Sequence, residues 1–163
     1  MKKIFFSILM LGLTSMVVGQ PMKSATVDQL VNQLAGPDQP KTRSLRNLKP
    51  EPRNIDLSIQ FDFDSAKLQA SSKPLLDNLA AAMRADRLMS IRFSVEGHTD
   101  AKGTEAYNLN LSQKRADSVV HYLIDLGIPS ERLVSTGKGF SELLFPEQPH
   151  AMENRRVRIA TLP

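Results

Sequence analysis

The sequence predicts an α+β domain in which a mixed sheet carries two helices packed on one face. Apolar residues alternate with polar ones in some segments and recur at helical spacing in others. These segments follow the order β-α-β-α-β-β, which is typical of helices that cover one face of a sheet. Hydrophobic residues make up 41% and charged residues 23% of the 163-residue chain, which is ordinary for a folded domain.

The first strand is predicted from residue 55 to residue 63, because Leu57, Ile59, Phe61 and Phe63 alternate with polar residues. The first helix is predicted to begin at Ser71-Ser72-Lys73-Pro74, with serine as the N-cap and proline in the first turn. Its apolar stripe comprises Leu75, Leu76, Leu79, Ala82 and Met83.

The second half of the domain repeats this pattern. A strand is predicted over residues 89–96, and a long helix from about Glu105 to Leu126, where Gly127 is placed to end it. Two further strands are predicted over residues 133–136 and 155–162. The domain as a whole is predicted to span residues 54–163.

Residues 1–19 are predicted to be a secretory signal peptide. Lys2 and Lys3 precede an apolar run over residues 4–13, and Val17 and Gly19 suit the −3 and −1 positions of a cleavage site after Gly19. The alternative is a retained transmembrane anchor, although the strongly apolar part is shorter than the roughly 20 residues that span a bilayer.

Charge and cysteine content exclude several classes of protein. Without Lys2 and Lys3 the formal charge of +4 falls to near +2, with 19 Lys and Arg against 17 Asp and Glu. This bias is too weak to indicate nucleic-acid binding. The chain has no cysteine, which excludes disulfides, thiolate metal sites, a cysteine nucleophile and the lipid attachment of a bacterial lipoprotein.

Residues 20–53 are predicted to be a Pro-rich spacer. Five prolines interrupt them and apolar residues are sparse, which favours a solvated, semi-rigid linker. A short helix from Thr26 to Leu34 fits the spacing of the few apolar residues, and Gly36-Pro37 would end it. The alternative is a docking segment for a partner protein.

Polar side chains at unexpected positions indicate a binding site. They are Asp64; His98 and Asp100; Asn108, Ser112 and Arg115; and Asn154, Arg155 and Arg156. Residues 108, 112 and 115 share one helix face, and the loop carrying Asp100 leads into that helix. An aspartate and an arginine in one cleft could hold the ammonium and carboxylate of an amino-acid end. The alternative is that Asp100 and Arg115 pair with each other, or only cap and cover the fold.

These motifs resemble the peptidoglycan-binding domain of the outer-membrane-protein-A-like family, which includes peptidoglycan-associated lipoprotein and MotB. The segments that carry the resemblance are residues 61–64, Val95-Glu96-Gly97-His98-Thr99-Asp100, residues 108–119 and Asn154-Arg155-Arg156-Val157. Several motifs in the same order and spacing, over about residues 56–162, make the signal specific.

The resemblance implies the ligand and its contacts. Family members bind meso-diaminopimelate of the peptidoglycan stem peptide, so that Asp100 would bind its ammonium group and Arg115 its carboxylate. Asp64, Asn108, Leu111 and Arg155 would line the same groove. Of Arg155 and Arg156, which strand alternation places on opposite faces, the family favours Arg155.

The resemblance further implies a periplasmic protein that tethers the envelope to the cell wall without catalysis or cofactor. Only about thirty residues separate the signal peptide from the domain, and no lipid-attachment cysteine is present. Outer-membrane association is therefore open, and an envelope protein could hold the chain instead. A wall-anchoring part of a motor or secretion complex, with a retained N-terminal anchor, is the alternative.

An enzyme is not expected. His98 and Asp100 could form a metal or acid–base pair, but His121 and His150 show no ligand spacing with them.

Overall fold

The computed structural model describes residues 19–36 and 52–163. Residues 1–18 and 37–51 lie outside the described residues, and with them all but the last residue of the predicted signal peptide. The described elements are helices α1 (Val27–Ala35), α2 (Lys73–Arg84) and α3 (Glu105–Asp125), and strands β1 (Asn54–Leu57), β2 (Arg92–His98), β3 (Leu133–Gly139) and β4 (Val157–Leu162). None of the helices in these two ranges combines the length and the apolar character needed to cross a membrane.

The four strands form one mixed sheet in the order β1-β4-β2-β3. Strands β2 and β3 run parallel, whereas β4 is antiparallel to both β1 and β2. Ile55, Ile159 and Val95 are partners across three strands, and all three belong to the buried core that the helices complete. The α+β class and the mixed sheet predicted from the sequence are confirmed.

Helix α3 lies close against the sheet because two glycines lack side chains where it crosses. A Cβ atom on Gly97 in β2 would lie 2.1 Å from the carbonyl oxygen of Ser112, and one on Gly137 in β3 would lie 2.5 Å from the backbone nitrogen of Gln113. This contact fixes the position of the helix that carries Arg115.

The first strand is shorter than its alternation predicts. Pairing with β4 ends at Leu57, and the chain then turns so that Phe61 bridges Leu68. Ile59 is still buried, but Phe63 is fully exposed. The prediction that Phe63 is buried was wrong, because apolar alternation does not show where the partner strand ends.

The start of α2 also differs from the prediction. The hydroxyl of Ser72 makes no capping bond to the helix, because it accepts the backbone N–H of Gln60 at 2.7 Å. Pro74 occupies the first turn as predicted.

The interpretation of residues 20–53 as a solvated spacer needs correction over residues 20–36. Helix α1 follows Thr26 as its N-cap, and the side chains of Thr26 and Gln29 form a capping box. Its apolar stripe of Leu30, Val31 and Leu34 is buried in the core of the domain. The segment is part of the fold because it covers apolar surface beside α2 and β1.

Candidate ligand-binding cleft

Four charged side chains predicted for the site come together from distant parts of the chain. Asp64 lies in the turn after β1, Asp100 in the loop after β2, Arg115 on α3, and Arg155 just before β4. The charges of Asp64, Asp100 and Arg155 all act on the Arg115 guanidinium. The fold therefore brings two carboxylates and two guanidinium groups together in one region.

Asp100 is held by two contacts. One carboxylate oxygen, Oδ1, accepts the backbone N–H of Lys102 at 3.1 Å, which is a local turn within the loop. The other, Oδ2, accepts a hydrogen bond from Nη1 of Arg155 at 2.6 Å. The Asp100 side chain is 12% exposed and that of Arg155 is 44% exposed, so the pair lies at the boundary with solvent.

Arg115 does not pair with Asp100. Its Nε donates to the backbone carbonyl of Ser65 at 3.0 Å, and its guanidinium lies 5.0 Å from the ring centre of Phe61. Burial, and then the charge of Arg155, lower the pKa of Arg115, while Asp100 and Asp64 act in the opposite direction. A partly desolvated cation of this kind favours an anionic ligand, which would offset the cost of its burial.

Asp64 has an unusual backbone conformation. Its φ of 50° lies in the left-handed region, and no other described non-glycine residue has a positive φ. Aspartate tolerates this region better than most residues. Its Oδ1 accepts a hydrogen bond from the Tyr107 hydroxyl in the first turn of α3. The turn after β1 is thereby tied to the helix that carries Arg115.

Asn108 and Ser112 are buried and bind the backbone of the segments around the site. Asn108 is buried, and its amide nitrogen donates to the carbonyls of Lys102 and Thr104, which fastens the loop that carries Asp100. Ser112 is fully buried and its hydroxyl accepts the N–H of Gly139 at 2.8 Å. Leu111, also predicted to line the groove, is half-buried on α3, one turn before Arg115.

The two adjacent arginines face different surroundings. Arg155 contacts Asp100, whereas the side chain of Arg156 is 1% exposed and pairs with Asp56 at 2.8 Å. Asn154 is buried, accepts the N–H of Phe145 and donates to the carbonyl of Gln148. Arg156 and Asn154 therefore stabilise the fold, whereas Arg155 lies beside Asp100 in the candidate site.

A cleft of about 490 Å³ opens next to these groups. Its wall includes Phe61, Arg115, Met152, Glu153 and Arg155. The wall also includes Gln20, Pro21 and Lys23, which precede α1. Sequence reasoning missed these last residues, and it missed Ser65 and Tyr107, because each reaches the site through a long-range contact that leaves no local pattern.

His98 belongs to another cluster. Strand alternation places it with Glu96 on the sheet face opposite α3. One potential ligand atom from each of Glu96, His98 and Glu142 lies within 4.8 Å of the others. The carboxylate of Glu142 already accepts a bond from Nζ of Lys138 at 2.9 Å and lies 3.6 Å from Arg158. Lys138 and Arg158 therefore already neutralise the Glu142 carboxylate, which a metal ion at this cluster would need as a ligand.

Comparison with known proteins places this chain in a family. The family model described as the OmpA family matches residues 60–157. Outer membrane protein A of Bordetella avium is 46% identical over 79 residues, which are 48% of this chain and 40% of that protein. Outer membrane porin F of Pseudomonas aeruginosa is 39% identical over 88 residues, 53% of this chain and 25% of that protein. The chain thus spans less than half the length of these relatives.

Two solved structures share the fold. The peptidoglycan-associated lipoprotein from Burkholderia pseudomallei is 29% identical with a TM-score of 0.55, covering 64% of this chain and 88% of that one. The cell wall anchor of the type VI secretion system from Pseudomonas aeruginosa is 28% identical with a TM-score of 0.54, covering 68% and 80%. The resemblance seen in the sequence motifs is confirmed.

Proposed function

Because the chain belongs to the OmpA family, we propose that it binds peptidoglycan without catalysis, through the diaminopimelate of the stem peptide. The observation that carries this proposal is that Arg115 and Arg155 line one cleft, while Asp100, which does not itself line that cleft, is paired with Arg155 at 2.6 Å. The names of two similar structures, a peptidoglycan-associated lipoprotein and a cell wall anchor, support it.

Diaminopimelate presents an amino-acid end with an ammonium group and a carboxylate. The Asp100 carboxylate would accept hydrogen bonds from the ammonium, and the Arg115 guanidinium would donate two parallel bonds to the carboxylate. Asp100 and Arg115 are not neutralised by each other, which leaves Arg115 free for an anion on the side away from Ser65.

In this proposal Nη1 of Arg155 lies at the position beside Asp100 that the ligand's ammonium would take. Arg155 contacts Asp100 through one bond at 2.6 Å, and its side chain is 44% exposed. An ammonium that binds Asp100 would share or displace this contact, and the released guanidinium would stay in reach of the ligand carboxylate. In this proposal Asp64 and Tyr107 fix the turn at the rim, and Asn108 and Leu111 support the loop and helix.

The cellular role follows from the ligand. We propose export by the signal peptide at residues 1–19, a periplasmic location, and tethering of the envelope to the wall. The similarity to a type VI wall anchor favours a second candidate, a wall-binding part of a larger complex with a retained N-terminal anchor. N-terminal sequencing of the protein from the envelope distinguishes them, because only the first predicts a terminus near residue 20.

The test is co-sedimentation of the full-length chain with insoluble peptidoglycan. The protein should pellet, and free meso-diaminopimelate should release it. Arg115→Ala should lose one charge-assisted interaction worth about 1.5–3 kcal/mol, which is about tenfold to a hundredfold in affinity. Lys114→Ala, at the adjacent exposed position, is the matched control. Normal pelleting of a folded Arg115→Ala protein would overturn the site.

A further inference from the structure

The segment before α1 forms part of the cleft wall. Gln20, Pro21 and Lys23 line the same cleft as Arg115 and Arg155. The family match begins only at residue 60, so this wall lies outside the part of the chain that matches the family. It is a feature of this chain that the family motifs do not describe.

Both flanks of Lys23 are fixed to the domain. The backbone N–H of Met22 donates to the carbonyl of Asp56, and the carbonyl of Met22 accepts the N–H of Ser58, each at 2.8 Å. On the other side, the amide of Asn78 donates to the carbonyl of the buried Ala25 at 2.8 Å. The backbone that carries Lys23 is therefore positioned by the fold and is not a loose end.

The Lys23 ammonium is available. Its residue is exposed, and within residues 19–36 and 52–163 no acidic side chain lies within salt-bridge distance of it. Among the side chains of the cleft wall, three are cationic, those of Lys23, Arg115 and Arg155, and one is acidic, that of Glu153. Such a surplus attracts a ligand with more than one carboxylate.

We infer that Lys23 is a specificity-determining residue that binds a second carboxylate of the bound peptide, beyond the amino-acid end held by Asp100 and Arg115. The inference rests on the proposed function, since it concerns the same cleft and the same ligand. The inference predicts that the protein binds acidic stem peptides more tightly than amidated ones.

Two synthetic peptides test this preference by calorimetric titration of the full-length protein. Both contain diaminopimelate, and they differ only in whether the carboxylate of the neighbouring acidic residue is free or amidated. The wild-type protein should bind the free acid about two- to fivefold more tightly, as expected for one solvent-exposed ion pair. This ratio should shrink as salt is added.

Variants at residue 23 separate charge from folding. Lys23→Ala should bind both peptides equally, Lys23→Glu should prefer the amidated peptide, and Lys23→Arg should keep the wild-type preference. Lys114→Ala serves as the matched control, because Lys114 is exposed on α3 and does not line the cleft. Thermal midpoints of all variants should agree with that of the wild type.

The outcomes distinguish the two proposals. If Arg115→Ala abolishes binding while Lys23→Ala keeps the wild-type ratio between the peptides, the role of Lys23 is overturned and the proposed function stands. If neither peptide binds the wild-type protein, both proposals fail. A lost preference in Lys23→Ala together with a retained one in Lys114→Ala supports the inference.

Discussion

Asp100 forms its ion pair with Arg155, at 2.6 Å, and not with Arg115, whose Nε donates to the carbonyl of Ser65. The two residues of this pair are 55 positions apart in sequence, joined only by the fold. Asp100 thus has one oxygen committed to its own loop and one committed to a half-exposed side chain. Only the second contact can be exchanged for a ligand without reshaping the loop.

Asp100→Asn tests the carboxylate with little change to the structure. An asparagine keeps an oxygen that can accept the Lys102 N–H, but it loses the charge that would attract an ammonium. Affinity for peptidoglycan should fall about tenfold to a hundredfold, for a loss of about 1.5–3 kcal/mol. Co-sedimentation gives the affinity and thermal unfolding gives the stability.

The matched control for this change is Asp125→Asn. Asp125 is exposed at the opposite end of α3, so the same loss of charge should leave binding unchanged. If both substitutions weaken binding equally, the effect comes from overall charge and Asp100 has no specific role.

Gly97→Ala should destabilise the domain and its site together. The added Cβ would lie 2.1 Å from the backbone oxygen of Ser112, so α3 must move away from β2. Because backbone atoms cannot yield as a flexible side chain can, the unfolding free energy should fall by about 3 kcal/mol, the upper end of the usual cost of overpacking. Urea unfolding measures it, and peptidoglycan binding should weaken too because α3 carries Arg115.

Ser94→Ala is the comparison for that experiment. Ser94 is on the same strand with its side chain on the other face, where it donates to Glu96 at 3.2 Å. Its removal should cost about 0.5–1.5 kcal/mol, as for an ordinary hydrogen bond. Equal losses in the two variants would show that the strand tolerates no change, whatever its contact with α3.

Periodicity predicted the fold because the core is built from regular segments. The stripes on α2 and α3 and the alternation in β2 and β4 each report which residues are buried, and burial of those stripes defines the layers. Where pairing stops, periodicity misleads. Phe63 continues the alternation of β1 but is fully exposed, because the partner strand has already ended.

The site was predictable in its residue types and less so in its contacts. Asn108, Ser112 and Arg115 were placed on one helix face by their spacing alone. That Arg155 pairs with Asp100, or that Tyr107 binds Asp64, depends on how the turns after β1 and before β4 fold back. Helix α1 was predicted from the spacing of its apolar residues, but that spacing does not tell which surface the helix packs against.

Leu30→Ala tests whether the segment before β1 belongs to the domain. Leu30 is fully buried in the common core, so its truncation should leave a cavity and cost about 2–5 kcal/mol. Denaturant unfolding of the full-length chain measures this loss. Gln33→Ala on the exposed side of α1 should change stability by less than about 0.5 kcal/mol. A neutral Leu30→Ala would mean that α1 is not docked in solution.

His98 should make the stability of the domain fall with acidification. Burial, followed by the charges of Arg156 and Arg158, lowers the pKa of His98 to about 3, whereas the smaller effects of Asp56 and Glu142 act in the opposite direction. Its side chain is fully buried and neither ring nitrogen has a hydrogen-bond partner among the described residues. The folded protein therefore holds the neutral ring.

The sign of the effect follows from this lowered pKa. An unfolded chain takes up the proton below about pH 6.5, while the folded chain does not until near pH 3, so unfolding is favoured as the pH falls between these values. The slope approaches about 1.4 kcal/mol per pH unit, or about 2 kcal/mol between pH 7 and pH 5. His98→Gln cannot titrate and should lose this part of the dependence.

The measurement is the difference in unfolding free energy between wild type and His98→Gln at each pH. At pH 8 the ring is neutral in both states, so this value records the packing cost of the substitution alone. The difference should shrink steadily toward pH 5 as the wild type loses its advantage. A difference that stays constant over this range would mean that the folded protein accommodates the charged ring, and NMR of the His98 ring would then show its protonation directly.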